Sequence, residues 1–239
     1  MEGIKSKERV QEHGEVFTPD SIVNDMLDLV DEELNKEDAW GYIDKTYLEP
    51  ACGNGNFLLR ILDRKLEVAQ KALPREQWDL ALVRSLSTIY GIDIQGDNVR
   101  ESKNRIIELI KNGSVPLLEL ADTEVKPFHF EKYNVTPELN KIMQFVLDNN
   151  IQQGNCLTGT KWRGNNDTSE LLLISEYKWN NDRVSRREVA LNNCISEGNI
   201  MYDHTEAEYE EVNYMSLDSA KSLNSEQNGQ TGLDAEFDF

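Results

Sequence analysis

Glu49-Pro50-Ala51-Cys52-Gly53-Asn54-Gly55-Asn56-Phe57 joins a short strand candidate, Tyr47 to Glu49, to an amphipathic helix. Glycines at 53 and 55 let the backbone approach a ligand without a Cβ clash, and the N-terminus of the following helix favours a carboxylate. Glu49, at the strand end, can meet a positive amino group. Asp93 closes the next apolar run, Ile89-Tyr90-Gly91-Ile92, where acids in nucleoside-binding α/β folds accept ribose hydroxyls. A pocket with backbone donors for a carboxylate and acidic acceptors for an ammonium and a ribose describes S-adenosylmethionine. The spacing disfavours NAD, whose fingerprint wants Gly-x-Gly-x-x-Gly and an acid about 20 residues on. Leu58 stands at the third glycine position, and Asp93 lies nearly twice that far away.

The elements that must position these residues alternate. Thr18 as cap, Pro19 at the first helical position and Asp20 at the positive end predict a helix, with Ile22, Val23, Met26, Leu27 and Val30 at helical spacing. Leu58, Ile61, Leu62, Leu66 and Ala69 mark a second helix after the glycine loop. A third runs from about Asp97 to Lys111, closed by Asn112-Gly113. Residues 114 to 135 lack a clear period. Thr136-Pro137-Glu138 opens a helix with Leu139, Ile142, Met143, Val146 and Leu147 on one stripe, followed by a strand, Ile151 to Gln153, and Gly154-Asn155-Cys156-Leu157. Strands alternating with helices predict a parallel α/β sheet. Leu171 to Trp179 and Val184 to Leu191 then read as a hairpin around Asn180-Asn181-Asp182.

Composition sets bounds on the function. The chain has 239 residues, of which 38% are hydrophobic, enough for a core. The longest uninterrupted aliphatic run is Leu171 to Ile174 and the first fifteen residues are polar, so neither a membrane span nor a secretory signal is expected. Cys52, Cys156 and Cys194 show no C-x-x-C spacing, which argues for a reducing, cytoplasmic compartment and against a zinc knuckle. The histidines have no ligand-like spacing, and no metal is expected. The formal charge is −19, so phosphate backbones are repelled unless a local basic patch or a partner supplies cations. From Ser196 onward eleven acids face one base, Lys221, and this Ser/Asn/Gln-rich stretch reads as a largely disordered acidic tail.

The chain resembles the S-adenosylmethionine-dependent adenine-N6 DNA methyltransferases whose cofactor-binding segment comes first. Gly14-Glu15-Val16-Phe17-Thr18-Pro19 looks like the family's N-terminal motif, whose Thr and Pro touch the methionine part of the cofactor. Glu49 to Leu58 looks like the glycine motif, usually D/E-P-A-C-G-x-G-x-F-L. Tyr90-Gly91-Ile92-Asp93-Ile94 resembles the next motif, which implies Asp93 on the ribose and Ile94 against the adenine. Gly154-Asn155-Cys156-Leu157 resembles a fourth, where the family commonly has Gly-Asp; here Asn155 can bond but carries no charge. The implied cofactor residues are Thr18, Glu49, Ala51, Gly53, Gly55, Phe57, Asp93, Ile94 and Asn155. The implied fold is a Rossmann-like class I methyltransferase fold with an incomplete parallel sheet. Residues 1–158 are expected to form the cofactor-binding domain, 159–195 a β-hairpin insertion and 196–239 the acidic tail.

The family's catalytic motif, N/D-P-P-Y/F, holds a flipped adenine by stacking and by acceptors for its amino group. Six prolines are present, at 19, 50, 74, 116, 127 and 137, and no two are adjacent, so no catalytic residue is assigned. Glu236-Phe237-Asp238-Phe239 looks like the opening of the strand that precedes that motif. The expectation is therefore the cofactor-binding half of a methyltransferase, with DNA engaged through a separate recognition and catalytic part. A subunit that complements another methyltransferase chain is one alternative, and an acidic DNA-mimic inhibitor is another. Between Lys161 and Arg187, six bases interleave with Trp162, Tyr177 and Trp179. That pattern suits either backbone gripping with base stacking or a solvated ribbon.

Overall fold

The computed structural model describes residues 9–11, 16–34, 37–115, 127–164, 166–192 and 205–223. Gly14, Glu15 and the segment Glu236 to Phe239 lie outside the described residues. Helix α1 spans Asp20–Leu34 and the short α2 spans Ala39–Ile43; β1 (Tyr47–Glu49) then leads through the glycine loop into α3 (Asn56–Ala72). Next come α4 (Trp78–Ser87), β2 (Ile89–Asp93), α5 (Gly96–Asn112), α6 (Pro137–Asn150) and β3 (Ile151–Asn155). After β3 come β4 (Thr160–Arg163), β5 (Asn166–Leu171), β6 (Leu173–Asn180), β7 (Arg183–Ala190) and β8 (Thr205–Asn213), with a 3₁₀ turn at Tyr214–Ser219.

The class is α/β, with two sheets. The first has the order β1-β2-β3-β4-β5. Its first three strands are parallel, with Glu49 opposite Gly91 and Asp93 opposite Gln153, as long helical crossovers require. β4 and β5 return antiparallel as a hairpin on the β3 edge. The second sheet, β6-β7-β8, is antiparallel throughout.

Alternation along β2 separates two cores. Ile89 enters the larger cluster, which gathers Leu58 and Leu62 of α3, Leu82 and Leu86 of α4, Ile106 of α5, and Met143 and Leu147 of α6. Tyr90 and Ile92 face the other way and pack on Leu172, Ile174, Val189 and Leu191. The second sheet thus covers the sheet face opposite the helical core. The Tyr90 hydroxyl donates to the Ser175 carbonyl at 2.6 Å, joining the two sheets.

Three expectations are corrected. The stretch from 196 is not uniformly a disordered tail, because Thr205–Asn213 forms β8 on β7. Arg186 explains why so acidic a strand folds: its guanidinium lies 3.7 Å from the Tyr209 ring and bonds Glu188, which also accepts from the Tyr209 hydroxyl. One hairpin is expected after residue 158, and the described residues form two, β4–β5 and β6–β7. Finally, α1 starts one residue late, with the Pro19 carbonyl accepting from Val23 N–H at 3.0 Å. α1 buries Val23 and Leu27, while Ile22, Met26 and Val30 stay exposed.

Candidate functional site

The C-terminal ends of β1, β2 and β3 open into a cavity of about 610 Å³, within the roughly 300–1,000 Å³ range of small-molecule sites. Its lining includes all but one of the residues expected from sequence: Thr18, Glu49, Ala51, Gly53, Phe57, Asp93, Ile94 and Asn155. Gly55 lies just behind, as the N-cap of α3 at φ 89°. A Cβ there would stand 2.4 Å from the Ser102 hydroxyl, so both the backbone conformation and the close approach of α5 call for glycine. Gly53, at φ 52°, lies under the ring of Phe17.

Asp93 connects two elements as well as facing the cavity. Its Oδ2 accepts from Gly53 N–H at 2.9 Å, pinning the glycine loop to the end of β2. Its Oδ1 accepts from Gln95 N–H at 2.7 Å and more weakly from the Asn98 amide at 3.5 Å. A carboxylate has about four acceptor directions, so Oδ2 keeps one for a ligand hydroxyl. Glu49 is less constrained. Burial pushes its carboxyl above the usual carboxylate range, and Ala51 N–H, 3.4 Å away, pulls in the opposite direction.

Thr18 contributes its carbonyl, which accepts from the Asn56 amide at 3.0 Å. The Asn56 side-chain oxygen in turn accepts from Arg105 at 2.9 Å, and Arg105 also donates to the Asn54 carbonyl at 2.7 Å. One buried guanidinium on α5 thus fastens the glycine loop, which holds the segment before α1. A second link is the Arg60 guanidinium on α3, which meets both Asp20 oxygens at 2.5 and 2.8 Å. Neither arginine was identifiable from sequence, since each sits on a helix whose apolar stripe alone was legible.

Asn155 lines the cavity with its amide already engaged: its oxygen accepts from Leu157 N–H at 3.0 Å and its nitrogen donates to Asp167 at 3.1 Å. The structure adds Phe17, Gln95, Asn98, Leu157 and Trp162 to the lining. Cys52 is buried, and burial pushes its thiol up, which suits a packing residue rather than a nucleophile. Among the described residues no group of three or more His, Cys, Asp or Glu could hold a metal ion, and no helix is long and apolar enough to cross a membrane. No family model, curated protein or solved structure matches the chain.

Proposed function

We propose that this chain binds S-adenosylmethionine and is the cofactor-holding part of an adenine-N6 DNA methyltransferase with a Rossmann-like fold. The observation that carries the reading is that Glu49 and Asp93, at the ends of neighbouring parallel strands, line one cavity with the glycine loop between them. That arrangement offers a backbone cradle for the carboxylate, Glu49 for the cationic amino group and Asp93 for the ribose. Ile94 and Phe57 supply apolar surface for the adenine and the methionine chain. No residue here is assigned to methyl transfer, because the sequence has no adjacent prolines to form the family's adenine clamp.

Calorimetric titration with S-adenosylmethionine, repeated on Asp93→Ala, tests the reading. Saturable one-to-one binding is expected, weakened at least tenfold in the variant through loss of a charged acceptor. Absence of binding to the wild-type chain would overturn it. Labelled methyl donor and duplex DNA should give no transfer with this chain alone.

A second reading, a subunit that complements another methyltransferase chain, draws on the free side of β1. Among the described residues β1 pairs with β2 alone. Tyr47 N–H bonds the Thr88 carbonyl, so by strand alternation the Leu48 backbone points away from β2. Beside it lies a second cavity, about 550 Å³, lined by Thr46, Leu48, Tyr90, Ile174 and Leu191. A strand from another chain would find an open edge and an apolar floor there. Methyl transfer appearing only on mixing with a chain that bears Asn/Asp-Pro-Pro would favour this reading.

A further inference from the structure

We infer that Trp162 is a ligand-contact residue of the main cavity, its indole meeting the purine of the bound nucleoside, and that the β4–β5 hairpin holds it there. This deepens the reading above and rests on it.

β4 is antiparallel to β3, with Asn155 opposite Thr160 and Gly154 opposite Lys161. The hairpin therefore grows from the strand end at which the cavity opens. Side chains alternate along β4. Lys161 and Arg163 project to one face, where both bond Glu170, at 3.2 and 3.1 Å. Thr160 and Trp162 take the other face, and Trp162 lines the cavity. β2 and β4 flank β3, so their backbones lie about 9–10 Å apart. Ile94, the residue after β2, and Trp162 on β4 both line the cavity, so a planar ring seated between these strand ends would meet both.

The hairpin is fixed at its base. The Asp167 carboxylate, directly across from Trp162 in the ladder, accepts from the Asn155 amide at 3.1 Å and from the hydroxyls of Thr158 and Thr160 at 3.1 and 3.0 Å. The turn after β3 and the β4–β5 ribbon are thus locked as one wall. Two of the four tryptophans use the indole N–H within the fold. Trp78 donates to the Leu73 carbonyl and Trp179 to the Ser87 hydroxyl, whereas among the described residues the Trp162 N–H has no hydrogen-bond partner. A half-exposed indole with an unused donor on a cavity wall suits a polar aromatic ligand.

The test titrates the full-length chain with S-adenosylmethionine and, separately, with adenosine. Trp162→Ala is expected to raise Kd for both by roughly ten- to a hundredfold, the range of one base–aromatic stack, and Trp162→Phe to recover most of that loss. Trp162→Phe also serves should the alanine variant fold poorly. Ligand binding should quench indole fluorescence in the wild type, and the quench should vanish in Trp162→Phe. An unchanged Kd in a folded Trp162→Ala, or a quench that persists in Trp162→Phe, overturns the role of Trp162 and leaves the cofactor reading standing. A wild-type chain that binds neither ligand overturns the cofactor reading, and the role of Trp162 falls with it.

Discussion

At the residue scale, Glu49 and Asp93 are both carboxyl side chains at strand ends yet are held differently. Asp93 is held by backbone N–H donors from the glycine loop and from the start of α5, so its orientation is set before any ligand arrives. Glu49 lies at the cavity wall with burial raising its protonation range, as desolvation does for any carboxyl. Its pH consequence follows from that sign. Below its raised value Glu49 is neutral and offers no attraction to an ammonium; above it the charge is present. Affinity for S-adenosylmethionine is therefore expected to weaken as pH falls through the acid range, and Glu49→Gln should flatten the profile at the weak end. Calorimetry across pH 4.5 to 7.5, with stability monitored in parallel, checks both. Asn155 illustrates the limit of reading residues singly. Its place in the chain was legible, but its engagement with Asp167 depends on a hairpin that no local pattern announced.

At the element scale, α1, α3, α5, α6 and the parallel strands were readable from apolar spacing and flanking caps and turns, whereas α2 and α4, whose apolar Leu80 to Val83 run together, were not. The stripe Leu58, Ile61, Leu62, Leu66 and Ala69 is buried as helical spacing requires. The β4–β5 hairpin was not readable: apart from Trp162 and Leu171 its residues are polar, and it is held by Glu170 and Asp167 rather than by burial. β8 misled for a related reason. Its alternating acids match a solvated tail, and the β7 ladder with Arg186, buried between Tyr209 and Phe145, and Arg183 on Glu211 make that strand part of a sheet. Arg186 also donates to the Ser175 hydroxyl on β6, so it touches all three strands. Arg186→Met keeps much of the volume and removes the charge-assisted bonds. A loss of about 2–3 kcal/mol is expected by chemical denaturation, with hydrogen exchange rising first in β8.

Taken whole, the molecule carries −19, and its basic ribbon is largely spent internally. Arg183 pairs with Glu211, Arg187 with Glu176, and Lys161 and Arg163 share Glu170. These exposed pairs contribute little to stability, but they leave few cations to neutralise phosphates. Duplex DNA is therefore expected to bind this chain weakly at physiological salt, with no retardation in a gel at micromolar protein. Tight, salt-sensitive binding would instead mark the ribbon as a nucleic-acid surface.

Periodicity and motif chemistry in the sequence determined the βα alternation, the glycine loop, and the two acids at successive strand ends. Those features are local, written in residues that neighbour one another along the chain. Only the tertiary structure decided that Glu49 and Asp93 share a cavity, that Arg105 and Arg60 anchor its floor and entry, that Trp162 stands on its far wall, and that an acidic stretch closes a second sheet. Each of these depends on side chains far apart in sequence meeting across strands and helices. Such meetings are set by strand register and by the pairing of buried charges, and neither leaves a period in the sequence.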